Sequence, residues 1–280
     1  MIRRGGLAAV VLAAWGVGLV LLTRRELFRG DEERLAQAAM LVAPGVEYYA
    51  VLDASSGKHV GFASSSVDTT LTGIEVKESF TALGQGANAT ERASVRTAAL
   101  LTRGLRLRSF TYEVNPSSGG LRVAGRVIND SLLELVTASG VSAPDTQRFS
   151  VSAQLLVPSV VPLGIALGDK PKVGKSRRLS VFDPTIMAPV TVSVRLAAES
   201  LFVVSDSARF ETGRWVSAHD DTVRAWRLEQ EAGTGNTHLI SGWVDSKGRL
   251  VETRELFGFA LRRTAYEIAT RNVSAAFANG

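Results

Sequence analysis

The 280-residue chain has no cysteine, which excludes a disulfide framework, a thiolate metal site, a cysteine nucleophile and a cysteine-linked lipid anchor. Histidine is scarce. His59, His219 and His238 lie far apart and lack the paired spacing that sets two metal ligands on one element. No G-x-S-x-G elbow occurs, and no serine is singled out by its surroundings. A concentrated positive field is missing too, although the formal charge is +5. Residues 1–30 carry five Arg and one Glu, which leaves 27 basic and 26 acidic side chains over 31–280. A phosphate-binding surface needs local excess charge, so nucleic acid is a poor candidate partner. Present instead is 45% apolar content with 21% charge, enough to bury a sizeable core.

From Gly5 to Thr23 no charged residue occurs, and Arg3, Arg4, Arg24 and Arg25 bracket the run. Those nineteen residues would span roughly 28 Å as a helix, near the hydrocarbon thickness of a bilayer. The pattern predicts one transmembrane helix. A cleaved signal peptide would need a shorter apolar run leading to a small-residue site without intervening charge, and Arg24, Arg25 and Glu26 intervene. Lys and Arg near the two ends do not decide orientation. Trp15 falls mid-span, away from the interface that indole prefers, and Ala9, Ala13, Gly16 and Gly18 supply a small-residue seam for helix packing. These five are the candidate contacts to other integral membrane subunits. Glu26 to Leu41 continues with helical spacing until Pro44-Gly45.

After Pro44 the period changes to two. Runs at 47–54, 72–82, 105–114, 121–129, 131–138, 147–157, 176–183, 189–198, 222–231, 237–245 and 249–257 read as strands. Ser56-Gly57, Asn129-Asp130, Gly233-Thr234-Gly235 and Ser246-Lys247-Gly248 supply turns. Short connections mean antiparallel neighbours, and nine to twelve twisted strands must curl into an open barrel or fold over as a sandwich. Pro158 to Gly168 is uniformly small or apolar and predicts a short helix or plug over one end of the sheet, while 263–270 has helical propensity. The expected organisation is an anchor and juxtamembrane helix over 1–43, a mainly β domain over 44–262, and a C-terminal helix and tail over 263–280.

GDKPKVGKS at 168–176 is not a phosphate loop. Five residues separate Gly168 from Gly174 where four are required, and an alternating strand pattern follows in place of a helix. Its cations, Lys170, Lys172, Lys175, Arg177 and Arg178, are a candidate contact for an acidic partner or anionic headgroups. His219-Asp220-Asp221 offers carboxylates without the calcium-loop pattern. No cofactor is expected.

Gly242-Trp243-Val244-Asp245, Gly248-Arg249-Leu250-Val251 and Leu261-Arg262-Arg263-Thr264-Ala265-Tyr266-Glu267-Ile268-Ala269 resemble the strand pair and helix that precede the catalytic domain in bacterial transglutaminase-like envelope proteins. Tyr48-Tyr49 with Gly61-Phe62-Ala63 resembles the opening hairpin of that amino-terminal region. Gly174-Lys175 leading to Val181-Phe182-Asp183-Pro184 resembles its central strand. The resemblance covers about 44 to 270 and implies a curved, extracytoplasmic β module without the catalytic residues, hence a domain on the periplasmic side of the inner membrane.

Two functions follow as expectations. The first is a non-enzymatic accessory or scaffold subunit of a larger membrane complex, for example respiratory or photosynthetic. Arg outnumbers Lys 26 to 6, which suits protein interfaces. The second is a periplasmic carrier whose concave sheet holds a lipid or other apolar ligand, with Pro158 to Gly168 as lid.

Overall fold

The computed structural model describes residues 42–83, 92–115, 120–140, 142–151, 154–168, 171–230, 241–256 and 258–273. The expected membrane helix with Ala9, Ala13, Trp15, Gly16 and Gly18, the helix over 26–41, and Lys170 all lie outside them. Among the described residues no helix is long and apolar enough to cross a membrane.

Among the described residues one sheet holds fifteen strands. The first meander comprises β1 (Gly45–Asp53), β2 (His59–Thr69), β3 (Ile74–Leu83), β4 (Arg92–Leu101), β5 (Leu107–Asn115), β6 (Leu121–Ile128), β7 (Leu132–Ser139) and β8 (Asp145–Ser150). The two-residue β9 (Leu155–Leu156) and a 3-10 turn (Pro158–Val160) then lead into α1 (Val161–Gly168). A second meander comprises β10 (Ser176–Asp183), β11 (Ala188–Glu211), β12 (Arg214–Gln230), β13 (Ser241–Asp245), β14 (Leu250–Leu256) and β15 (Phe259–Thr264), followed by α2 (Tyr266–Arg271). Every pairing is antiparallel except β9 with β10. The order β8 to β1, then β15 back to β9, joins the meanders at the central β1–β15 pair and leaves the sheet unclosed.

The expectation of a mainly antiparallel β fold with a C-terminal helix holds, with more strands than the alternation marks. Between the paired Ile128 and Leu132, Asn129 and Asp130 adopt φ of 50° and 55°, a left-handed conformation that Asn and Asp tolerate better than most residues. The sheet curls strongly. Phe110 on β5 and Phe182 on β10 stand ten strands apart in the sheet order, yet their ring centroids lie 4.8 Å apart. Val67, Val76, Ala99 and Leu135 of the first meander share one core with Val181, Val192, Leu196 and Leu228 of the second. Packed among them is the Pro158–Gly168 segment. Val160 and Val161 are fully buried and Leu163 nearly so. A helix apolar on every side has nowhere stable to lie except inside. The segment is therefore a plug built into the core.

The alternation over 189–198 and 222–231 marks only the two ends of a long hairpin, β11–β12. β11 pairs β10 only over 188–195 and β12 pairs β13 only over 225–229, so the residues beyond run on as a two-stranded ribbon. Its inner side lies on the sheet. Val204 joins Ala225 and Val251 in a separate small core, and the Phe202 ring sits 5.0 Å from that of Trp243. At the tip, the Asn272 carboxamide accepts from the Trp215 N–H (2.9 Å) and donates to the Trp215 carbonyl (2.7 Å). The residue just past α2 thus pins the ribbon.

Candidate functional site

Where β1, β15 and the β13–β14 turn converge, the sheet carries a buried charge cluster. Asp245 Oδ2 accepts from Nη1 and Nη2 of Arg263 at 2.9 and 3.0 Å. Its Oδ1 accepts from the backbone N–H of Lys247 and of Arg249, both at 2.9 Å, shaping the turn. Arg249 donates through Nη1 to the Gly45 carbonyl and through Nη2 to that of Ala43, gripping the chain where it enters β1. Glu47 lies 3.6 Å from Nη1 of Arg263. The geometry is close to what a buried ion pair needs to offset its desolvation, since each charge meets opposite charge or backbone donors. One atom is left over. Arg263 Nε is buried without a hydrogen-bond partner, and no other side-chain nitrogen or oxygen among the described residues is in that state.

Above this floor lies a cleft of about 720 Å³ roofed by the ribbon. The ladder slips on both sides of Ser207, so Ser205 faces Asp220 and Ser207 faces His219. Bulges re-aim side chains. Here the result is that Asp206 and Asp221 line the cleft and stand close to His219, with ligand atoms of the three mutually within 4.8 Å. All three are exposed, and His219 Nε2 is 3.6 Å from Asp221 Oδ1. Ser217 Oγ bonds to both Ser205 Oγ and Asp220 Oδ1, bracing the bulged stretch. The opposite wall is aromatic: Tyr48 and Tyr266 meet edge to face with centroids 4.9 Å apart, and Tyr266 is 45% exposed.

A second polar feature crosses the concave face. Cross-strand register aligns Glu47, Ser65, Glu78, Thr97 and Tyr112 on successive strands β1 to β5. Burial pushes the Glu78 carboxyl up to about 7, opposed by a hydrogen bond donated by Thr97 Oγ1. Burial also raises the Tyr49 phenol well above its ordinary value, and its hydroxyl donates to the Leu250 carbonyl.

The cations singled out from sequence fare unevenly. Lys172, Lys175 and Arg178 are exposed at the β10 end of the sheet. Arg177 is half-buried and donates to the Gly164 carbonyl, fastening the plug to the strand. It is a structural link more than a free contact. The cleft is not legible in the sequence, because its walls come from five separate stretches and Asp206 turns inward only through the bulge. Three of its lining residues, Tyr48, Asp221 and Arg263, fall within stretches that the sequence singles out.

No family model and no curated protein matches this chain. Two solved structures are similar in part. A β-barrel-like protein of domain of unknown function DUF1849 from Brucella abortus is 12% identical, over 79% of this chain and 95% of that one, with a TM-score of 0.47. A DUF1089 family protein from Pseudomonas aeruginosa is 10% identical, over 70% of this chain and 90% of that one, with a TM-score of 0.37. At these scores neither likeness bears on function.

Proposed function

We propose that this chain is a non-enzymatic, membrane-anchored accessory subunit, held on the periplasmic side of the inner membrane by its amino-terminal helix and acting through contacts with other membrane-protein subunits. The observation that carries this reading is the ribbon. Its outward side exposes Leu201 (64%) and Val203 (72%) in succession, while its inner side already has a packing partner. Apolar side chains that the fold leaves in water on a braced, projecting element favour a surface awaiting a partner. The amino-terminal helix, with Trp15 and its small-residue seam, would supply the second contact, inside the bilayer. The resemblance to the companion region of transglutaminase-like envelope proteins fits the same role, that of a module working beside a partner.

The alternative, a carrier of an apolar ligand, has less support, because the segment that would serve as lid is packed into the core. The test is copurification from native membranes of the full chain and of Leu201→Asp/Val203→Asp. Partners retained by the first and lost by the second are expected. An identical partner set for both would remove the ribbon from the account.

A further inference from the structure

The distal ribbon has two open edges, and they are not alike. Among the described residues no strand pairs the outer edge of β11 beyond Arg195, and the loop at Gly174 and Lys175 carries backbone bonding only as far as Leu196. The outer edge of β12 is likewise unpaired before Ala225. Proteins blunt such edges with charge, proline or bulges, because a row of free N–H and C=O groups accepts any strand that reaches it. On β12 that protection is present in His219, Asp220, Asp221 and Arg224. On β11 the stretch 200–205 reads Ser-Leu-Phe-Val-Val-Ser, with no charge, no proline and an unbroken ladder to β12. The ladder slips only to either side of it, between Leu196 and Ala198 and again after Ser205. A regular, uncharged, β-branched and aromatic edge is the kind that pairs with another strand.

The stretch is complementary to itself. Laid antiparallel on a second copy about Phe202, it sets Leu201 of each chain opposite Val203 of the other, so that four apolar side chains now in water cover one another. Glu199 then falls opposite Ser205, and Asp206 opposite Ala198, so no like charges meet. Past Asp206 each chain runs alongside the loop that brackets Leu196 in the other, where Lys172 and Lys175 are exposed. Asp220 and Asp221 stand beside Asp206 on the neighbouring strand, so an acidic stretch of each copy faces a basic loop of the other.

We propose that two copies of this chain associate through β11, antiparallel over about 199–205 with Phe202 on the twofold axis, and with the acidic bulge of each against the Lys172–Lys175 loop of the other. A twofold contact closes on itself, which uses up both open edges and leaves none to propagate. The inference rests on the Leu201–Val203 stripe being a contact surface, and it names a second copy as what covers it.

The test is the mass of the full chain, expressed alone and purified in mild detergent at micromolar concentration, by sedimentation. Two chains per micelle are expected, which is twice 29.8 kDa besides the detergent. Leu201→Lys/Val203→Lys places like charges opposite each other and is expected to raise the dissociation constant about a hundredfold or more. Lys172→Glu/Lys175→Glu is expected to raise it about fivefold. Since the chain has no cysteine, mixing a Leu201→Cys copy with a Val203→Cys copy reads the register directly. Oxidation should join the two, while either copy alone gives little product, because like positions lie diagonally about 8 Å apart, beyond disulfide reach. Circular dichroism and thermal melting check that each variant keeps its fold. A lone chain, a Lys variant that associates as tightly as the parent, a charge reversal without effect, or cross-linking no better in the mixture than in each copy alone overturns the proposal. A lone chain that still holds other membrane subunits would overturn the inference and leave the accessory reading standing; a twofold pair that holds none would do the reverse.

Discussion

Asp245 at the end of β13 and Arg263 on β15 lie two strands apart in the second meander, beside its junction with β1, 2.9 Å apart and both nearly inaccessible to water. Asp245 closes the β13–β14 turn through two backbone N–H groups, and Arg263 belongs to β15, the strand that pairs with β1. Removing the carboxylate strands a buried guanidinium. Asp245→Ala is expected to cost about 3–5 kcal/mol in urea unfolding. Replacing both residues with apolar ones should cost less than the two single changes combined, since no charge is then left unpaired. Strict additivity in that cycle would show that the pair is not coupled.

Glu78 gives the fold a pH dependence of defined sign. Its carboxyl is raised to about 7 by burial, so the native state holds a proton that the unfolded chain releases near its ordinary value of 4.5. Its cost to stability is absent at low pH, grows as the pH rises from about 4.5 to 7, and is then constant. Glu78→Gln should be close to neutral at pH 4 and stabilising above pH 7 by on the order of 2 kcal/mol. Denaturant midpoints at several pH values decide it; a difference between the two proteins that does not vary with pH would contradict it.

Gly125 faces Phe110 across the β5–β6 ladder, and a Cβ there would lie 2.1 Å from the Phe110 ring. The same ring packs on Phe182, so it has no free space to retreat into. Gly125→Ala should destabilise by about 2 kcal/mol or more through overpacking, with partial rescue by Phe110→Leu. Thermal melting of the single and double variants measures this. Gly248→Ala should be as harmful for another reason: φ is +72° and the added carbon would meet the plug backbone 2.6 Å away at Leu163 Cα.

Asn272 holds the ribbon through both backbone groups of Trp215. Asn272→Ala is expected to speed amide exchange at Trp215 and its neighbours, to cost about 1–2 kcal/mol, and to leave exchange in β2 to β6 unchanged. Uniform acceleration across the sheet would mean that the ribbon does not open as a separate unit.

How much of this was readable in the sequence depended on contrast between strand faces. β5 and β6 alternate between apolar and polar residues and are visible from that alone, while β1 and β7 are marked by short apolar runs bounded by turn residues. β2 and β4 were not: β2 carries the run Ser64 to Ser66, with Ser64 and Ser79 hydroxyls 2.9 Å apart across the ladder, and β4 is rich in alanine. Both fill crowded positions with small residues of weak strand preference. The distal ribbon carries no period-two signal in the sequence, because much of both its sides is exposed. The plug was legible, as a buried helix must be apolar all round. The cleft was not, since its acids become neighbours only through a bulge and a fold-back spanning some two hundred residues of chain.

The claim at the centre of the account is that this protein works through surfaces offered to other membrane proteins. Gentle detergent extraction of native membranes followed by size analysis measures that directly. The account predicts that the chain migrates within a particle much larger than its own 29.8 kDa plus micelle, together with stoichiometric partners. Migration as a lone chain in its micelle, across detergents that preserve known complexes from the same membranes, would contradict it.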